Sequence, residues 1–192
     1  MSATQVIDWE SRYQEGRTAW ERPALNPAFV AWRQSGELAP CRILVPGAGR
    51  SAEPGVLAAA GFDVTVLDVA PSAAAAQRAQ LGGAAGVVEA DVFAWQPAAQ
   101  FDAVYDQTCL CALPPALWGD YEQRLVRWLR PGGRLFVLFM QTGSDGGPPF
   151  DCPIPLMHEL FAPERWVWPA TLPPLVHHPS LRDEQPAALY RL

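Results

Sequence analysis

Apolar residues fall along this chain in two rhythms. Short, largely apolar runs occur at Cys41–Val45, Asp63–Leu67, Gly86–Ala90, Phe101–Tyr105 and Arg134–Met140, bounded by Gly, Pro, Asp or Gln. Runs of this length and flanking predict buried strands. Between them lie helix-compatible stretches. One covers about Ser51–Ala60 and is closed by Gly61. A second opens at Pro71, runs through Ala73–Leu81 and stops at Gly82-Gly83, as C-cap glycines do. Pro114–Leu129 is amphipathic, with Leu117, Tyr121, Leu125, Trp128 and Leu129 on one face and Pro131-Gly132-Gly133 as its stop. Strands alternating with helices imply a parallel sheet with right-handed crossovers.

The flanks add to this frame. Before the first strand, Val6–Glu15 reads as a short helix with Val6, Trp9 and Tyr13 on one face, ended by Gly16. Asn26-Pro27 is an N-cap followed by a proline at the first helical position. Phe29, Val30 and Trp32 supply the apolar face of that second helix, which stops near Gly36. Phe29 and Trp32 are expected to pack onto the domain. After Met140 comes a long Pro/Gly-rich loop, residues 143–155, of the kind that is usually functional. Leu156–Phe161 reads as a short helix, and Trp166–Trp168 with Ala187–Leu192 as an antiparallel edge pair. The expectation is a single α/β domain over residues 1–192. It has a doubly wound, mostly parallel, seven-stranded Rossmann-like sheet over 41–192, with an antiparallel edge strand and an N-terminal helical lid over 1–38.

Composition narrows the function classes. Charged residues make up 18% of the 192 residues, and the net charge is −6, which argues against a nucleic-acid footprint. No run reaches membrane-spanning length, and Met1-Ser-Ala-Thr-Gln lacks the pattern of a secretory signal. A reducing, cytoplasmic setting is therefore expected, with Cys41 as a core thiol. Cys109-x-Cys111 with His177-His178 matches no common zinc spacing, so no metal is expected.

The candidate chemistry sits at strand ends. Gly47-x-Gly49 follows the first strand, where glycine permits positive φ and lets a ligand approach the backbone. Asp68, Asp91 and Asp106 end the next three strands, on the edge where open α/β sheets bind ligands. Asp68, with Val69 beside it, stands where an acidic residue holds ribose hydroxyls. Gly47-x-Gly49-x-x-Ala52 also satisfies a loose dinucleotide fingerprint, so a nicotinamide cofactor competes with S-adenosylmethionine. Three features favour the latter. Pro46 precedes the first glycine. Asp91-Val92-Phe93 suits adenine, a carboxylate for the amine and an aromatic face. The aromatic load of Trp9, Tyr13 and Trp20 suits a sulfonium, which ring faces attract.

The sequence also resembles the thiopurine S-methyltransferase family, which includes thiol and halide methyltransferases. The resemblance rests on Trp9-Glu-Ser-Arg-Tyr13-Gln-Glu-Gly16-Arg-Thr-Ala-Trp20, on Val45-Pro-Gly-Ala-Gly49-Arg50 with Glu53, on Tyr105-Asp106-Gln107-Thr-Cys-Leu-Cys111-Ala-Leu-Pro114, and on Gly146-Gly-Pro-Pro149-Phe150. It implies a class I methyltransferase fold with S-adenosylmethionine as methyl donor. Trp9, Tyr13 and Trp20 would flank the cofactor, and Gly47 and Gly49 would pass under its methionine end. Asp68 would hold the ribose, and Asp91 and Phe93 the adenine. Asp106 and Gln107 would lie near the methyl and carboxypropyl groups. Gln107 replaces an arginine of the mammalian thiopurine enzymes, which argues against an anionic aromatic thiol. Asp106 is a candidate proton acceptor, Tyr13 an acceptor-orienting group and Arg17 a magnet for an anionic acceptor. The implied acceptor is a thiol, sulfide, thiopurine, selenium compound or halide, methylated by a monomer or weak homodimer. A nicotinamide-dependent oxidoreductase is the competing enzyme class. It would lack a Tyr-x-x-x-Lys motif, since the chain has no lysine. A non-catalytic adenosine-ligand binder is the other alternative.

Overall fold

The computed structural model describes residues 7–83 and 86–192. Val6, the first residue expected in the N-terminal helix, lies outside them. One mixed sheet organises the chain. Its parallel part is β1 (Arg42–Pro46), β2 (Asp63–Asp68), β3 (Gly86–Glu89), β4 (Phe101–Asp106) and β5 (Leu129–Gln141), in the spatial order β3-β2-β1-β4-β5. The order reverses direction at β1, so a crevice opens beyond the carboxyl ends of β1 and β4. On the far side, β8 (Asp183–Arg191) runs antiparallel to β5, with Asp183–Tyr190 opposite Arg134–Gln141. The two-residue strands β6 (Trp166–Val167) and β7 (Val176–His177) pair with the outer side of β8.

Strand side chains alternate between two faces, and both faces are covered. In β4, Val104 joins one cluster with Tyr121, Leu125 and Trp128. Its neighbours Ala103 and Tyr105 join the other, with Phe29, Trp32 and Leu57. Likewise β5 sends Leu135, Val137 and Phe139 one way and Phe136 and Leu138 the other. The first layer holds α5 (Cys109–Ala112), α6 (Trp118–Trp128) and α7 (Ile154–Leu160). The second holds α2 (Pro27–Gln34), α3 (Glu53–Ala59) and α4 (Pro71–Leu81). Trp128 and Trp166 are wholly buried. Complete burial of a large apolar side chain contributes about 1.5–3 kcal/mol.

The short α1 (Trp9–Gln14) packs on α4 rather than on the sheet. Of the span expected to form a lid, residues 7–22 cover the strand ends. Helix α2 belongs to the sheet-covering layer, with Phe29 and Trp32 meeting Tyr105 and Phe136 in tilted or edge-on contacts at 5.2–6.5 Å. Asn26 caps α2 by accepting the Ala28 N–H at 2.9 Å. Among the described residues no helix is long and apolar enough to cross a membrane.

Three elements differ from expectation. The amphipathic stretch from Pro114 divides into a 3₁₀ turn at Pro115–Leu117 and α6, with the short α5 before it. Pro114 and Pro115 lack N–H donors, and Trp118 Nε1 instead donates to the Leu110 and Leu113 carbonyls at 3.0 and 2.9 Å. Strand β5 begins at Leu129, five residues early. Pro131-Gly132-Gly133 lies within it, opposite a register shift between Phe101 and Ala103. A Cβ on Gly133 would stand 2.8 Å from the Arg130 carbonyl oxygen, so the glycine there serves a bulge. Strand β8 begins at Asp183 rather than Ala187, and β7 raises the sheet to eight strands.

Candidate active site

The turn after β1 is built around Gly47 and Gly49, both at φ +55°. A Cβ on Gly47 would come within 3.0 Å of Cys109 Cβ and 3.1 Å of its Sγ, and one on Gly49 within 2.6 Å of the Tyr13 hydroxyl. Only glycine fits either place. The buried Gln77 of α4 donates to the Gly49 and Ser51 carbonyls, each at 3.0 Å, and holds the turn from below. Asp68 holds it from the side: one carboxylate oxygen accepts the Gly49 N–H at 2.8 Å, the other the Ala70 N–H at 2.9 Å. Burial pushes the Asp68 carboxyl above its ordinary range, against the pull of these N–H donors.

Beyond β3, Asp91 accepts the Phe93 N–H at 2.6 Å. This turn presents Val92 and Phe93 beside Asp68 and Val69. Over the strand ends lies the aromatic segment. Asp8 caps α1 by accepting the Ser11 N–H at 3.0 Å. Glu10 reaches across to α4 and accepts both the Ser72 N–H at 2.9 Å and its hydroxyl at 2.6 Å. Trp20 meets Trp9 and Tyr13 edge-on at 5.3 and 5.5 Å, and its Nε1 donates to the Tyr13 hydroxyl at 3.3 Å. Arg50 lies over the Tyr13 ring and pairs with Glu21 at 2.6 Å.

Together these parts enclose a cavity of about 910 Å³, within the roughly 300–1,000 Å³ common for small-molecule sites. Trp9, Tyr13, Arg17, Trp20, Gly47, Asp68, Val69, Asp91, Val92 and Phe93 line it, all of them nominated from sequence. Gly49 sits directly beneath Tyr13 but is not in the wall. Gln107 lines a smaller neighbouring cavity of about 60 Å³, which also reaches Gly47.

Asp106, nominated as proton acceptor and cofactor neighbour, stands apart from the other candidates. It lines neither cavity and is 1% exposed. One carboxylate oxygen accepts the Tyr121 hydroxyl at 2.8 Å, the other the Cys109 and Leu110 N–H groups at 2.8 and 3.3 Å. It ties α5 and α6 to the end of β4, and burial pushes its carboxyl up to about 6. As a proton acceptor or cofactor contact it has no surface to offer. Arg17 is at the cavity rim, paired with Glu15 at 2.5 Å. The Tyr13 hydroxyl is engaged by Trp20 and faces the glycine turn.

The opposite wall was not assigned from sequence. Thr108, Cys109, Cys111, Leu113, Pro114 and Leu117 come from the chain after β4, Pro148 and Pro149 from the long loop, and Leu181 from before β8. The Cys-x-Cys run and the Pro-Pro loop were visible as motifs. Leu181 carried no signal. Burial raises the Cys109 and Cys111 thiols well above the ordinary cysteine range. Among the described residues no three His, Cys, Asp or Glu side chains group as metal ligands.

Comparison with known proteins agrees with this geometry. The family profile described as thiopurine S-methyltransferase matches residues 4–171. A probable thiol methyltransferase 2 of Arabidopsis thaliana is 27% identical over 169 residues, 85% of this chain and 75% of that protein. A thiopurine S-methyltransferase of Vibrio parahaemolyticus is 26% identical, covering 80% of each. Among solved structures, the Burkholderia thailandensis 1,6-didemethyltoxoflavin-N1-methyltransferase, with bound 1,6-didemethyltoxoflavin and S-adenosylhomocysteine, superposes with a TM-score of 0.75 at 24% identity. It covers 94% of this chain and 84% of that one. The Bradyrhizobium japonicum N-methyltransferase NodS, in complex with S-adenosylhomocysteine, gives 0.70 at 18% identity over 95% and 98% of the two chains. These similarities share the class I methyltransferase fold. With the profile matched over most of its length, this chain belongs to the thiopurine S-methyltransferase family of S-adenosylmethionine-dependent enzymes.

Proposed function

We propose that this enzyme methylates the sulfur of a small apolar thiol or sulfide, or its selenium counterpart. When bound, S-adenosylmethionine supplies a methyl group on a sulfonium, which the acceptor sulfur takes by in-line displacement. The residues present fit that cofactor. Gly47 offers bare backbone where a side chain would collide with Cys109. Asp68 and Val69 suit a ribose, and Asp91, Val92 and Phe93 an adenine. Trp9, Tyr13 and Trp20 present ring faces and edges to a cation.

The observation that carries the acceptor class is the wall of Cys111, Leu113, Pro114, Leu117, Pro148, Pro149 and Leu181. It offers no charge. The cations on the cavity are Arg12 and Arg17 of the lid, and Glu15 neutralises Arg17. An anion entering this end would lose water without gaining a buried partner. Asp106 is out of reach, so the acceptor enters uncharged, either as a sulfide or as a thiol whose proton passes to solvent as its sulfur takes the methyl group. The chain's task is then alignment and exclusion of water, and alignment alone supplies up to about 7–11 kcal/mol of barrier reduction. The same reading places the enzyme in the cytoplasm, where four free thiols stay reduced, as a monomer or weak homodimer.

The test is a competition among acceptors at fixed S-adenosylmethionine. Benzenethiol and short alkanethiols are expected to exceed iodide and thiocyanate in kcat/KM by about tenfold or more, the ratio that 1.4 kcal/mol of differential burial gives. A preference for iodide or thiocyanate would overturn the acceptor class.

A further inference from the structure

One histidine is buried where the chain around it is open to solvent. His178 is 0% exposed, while His177, Pro179 and Ser180 beside it are exposed. Both of its ring nitrogens are engaged. Nδ1 faces the Ser180 N–H at 3.2 Å and the Leu181 N–H at 3.1 Å. Nε2 lies 3.1 Å from the Trp20 carbonyl oxygen. A backbone N–H only donates and a carbonyl only accepts. The partners therefore fix the tautomer: Nδ1 is bare, Nε2 carries the proton, and the ring is neutral. Burial holds the imidazole below its ordinary pKa, against the pull of the Trp20 carbonyl.

The two ends of this ring serve different sides of the main cavity. Trp20 lines the cavity from the lid, and Leu181 lines it as part of the apolar wall. The turn that carries Leu181 is closed by the His178 N–H, which donates to the Arg182 carbonyl at 3.0 Å. Capping such a turn does not need an imidazole. An asparagine accepts N–H groups a few residues on by the same local geometry. What the imidazole adds is a second nitrogen on the far side of the ring, and that nitrogen reaches the lid. A longer link runs beside it, from Arg22 to the His177 carbonyl at 3.3 Å.

Resting on the reading of this cavity as the seat of cofactor and acceptor, we propose that His178 is a positioning residue that couples the two. It passes the placement of Trp20 on the cofactor side to Leu181 on the acceptor side, so that an occupied cofactor site completes the acceptor wall. The acceptor touches Leu181, not His178. Such coupling is reciprocal, and a bound acceptor strengthens cofactor binding by the same factor.

Hydrogen exchange reads the coupling directly, because the Ser180 and Leu181 amides are themselves the donors to Nδ1. In the wild type, S-adenosylhomocysteine is expected to slow exchange in residues 7–22 and also, by about three- to tenfold, in 178–182, the range that one buried hydrogen bond gives. His178→Asn keeps an acceptor for the turn and loses the donor to Trp20. Its lid should still respond to S-adenosylhomocysteine, and its residues 178–182 should not. His178→Gln places an amide nitrogen toward the Trp20 carbonyl and should recover part of the response. With benzenethiol as acceptor, His178→Asn should raise the acceptor KM by about three- to tenfold. It should leave S-adenosylhomocysteine affinity without acceptor within about threefold. A wild-type lid that responds while 178–182 does not would overturn the coupling without needing a variant. So would a His178→Asn protein that keeps the response, or one that loses cofactor and acceptor binding alike. No response to S-adenosylhomocysteine anywhere in the wild type would overturn the cofactor reading, and the coupling with it.

Discussion

Replacing Asp68 by alanine should separate two jobs that one carboxylate performs. In the structure both oxygens are occupied, one by the Gly49 N–H at 2.8 Å and one by the Ala70 N–H at 2.9 Å, and the residue is 6% exposed. Removing it orphans two donors. Each buried orphan costs about 1–3 kcal/mol, but Asp68 borders the large cavity, so water can reach the gap. The expected stability loss is therefore about 1–3 kcal/mol in total, read from urea unfolding. The proposed ribose contact would go as well. A charge-assisted hydrogen bond is worth about 1.5–3 kcal/mol, so S-adenosylhomocysteine affinity should fall by about 10- to 150-fold in calorimetry on the folded variant. Asp68→Asn keeps one acceptor and should lie between. If stability falls while affinity stays within about twofold, Asp68 only clamps the glycine turn, and the register of cofactor to strand β2 is wrong.

Other outcomes follow from the same geometry. Asp106 is an acid pushed up from 3.8 to about 6 by burial, so folding favours its protonated form. Its contribution is present below pH 4 and is lost as pH rises through 6. Wild type should therefore lose on the order of 3 kcal/mol relative to Asp106→Asn between pH 4 and 7. A wild-type-minus-variant difference that does not move with pH in urea titrations contradicts this. Gly47→Ala would strain a φ of +55° and press on Cys109 at 3.0 Å. The sum of left-handed strain and overpacking is about 2–5 kcal/mol, and a thermal shift smaller than 1 kcal/mol implies would mean the turn is more yielding. Trp20→Ala removes both edge-on aromatic contacts of the lid. It should raise the KM for S-adenosylmethionine and speed proteolysis within residues 7–22, and unchanged values of both would show that the lid does not depend on that ring.

Much of the cavity wall at the strand ends was legible because it is written in local signals. Glycines at positive φ, aspartates at strand ends and a capped, proline-led helix each act within a few residues of sequence. The placement of Asp106 was not legible. Its position at the end of β4 resembled that of Asp68, but its fate depends on Tyr121, fifteen residues on, whose hydroxyl closes over it. Pro131-Gly132-Gly133 signalled a helix stop, and tertiary register made it a bulge in β5. The last strand was expected only from Ala187, and it extends back through Pro186 because that residue lies in the stretch of β8 that neither β6 nor β7 pairs with, where a missing N–H costs little. The acceptor wall was hidden for a related reason. Leu117, Pro149 and Leu181 are far apart in sequence, and only the return of β8 beside β5 brings the last of them to the cavity.

A crystal structure with S-adenosylhomocysteine would test the central claim most directly. The account predicts adenine against Phe93, ribose at Asp68, and the sulfur beneath Trp20 facing the apolar wall of Leu113, Pro149 and Leu181. A ligand lying in the reverse direction, or outside this cavity, would contradict it.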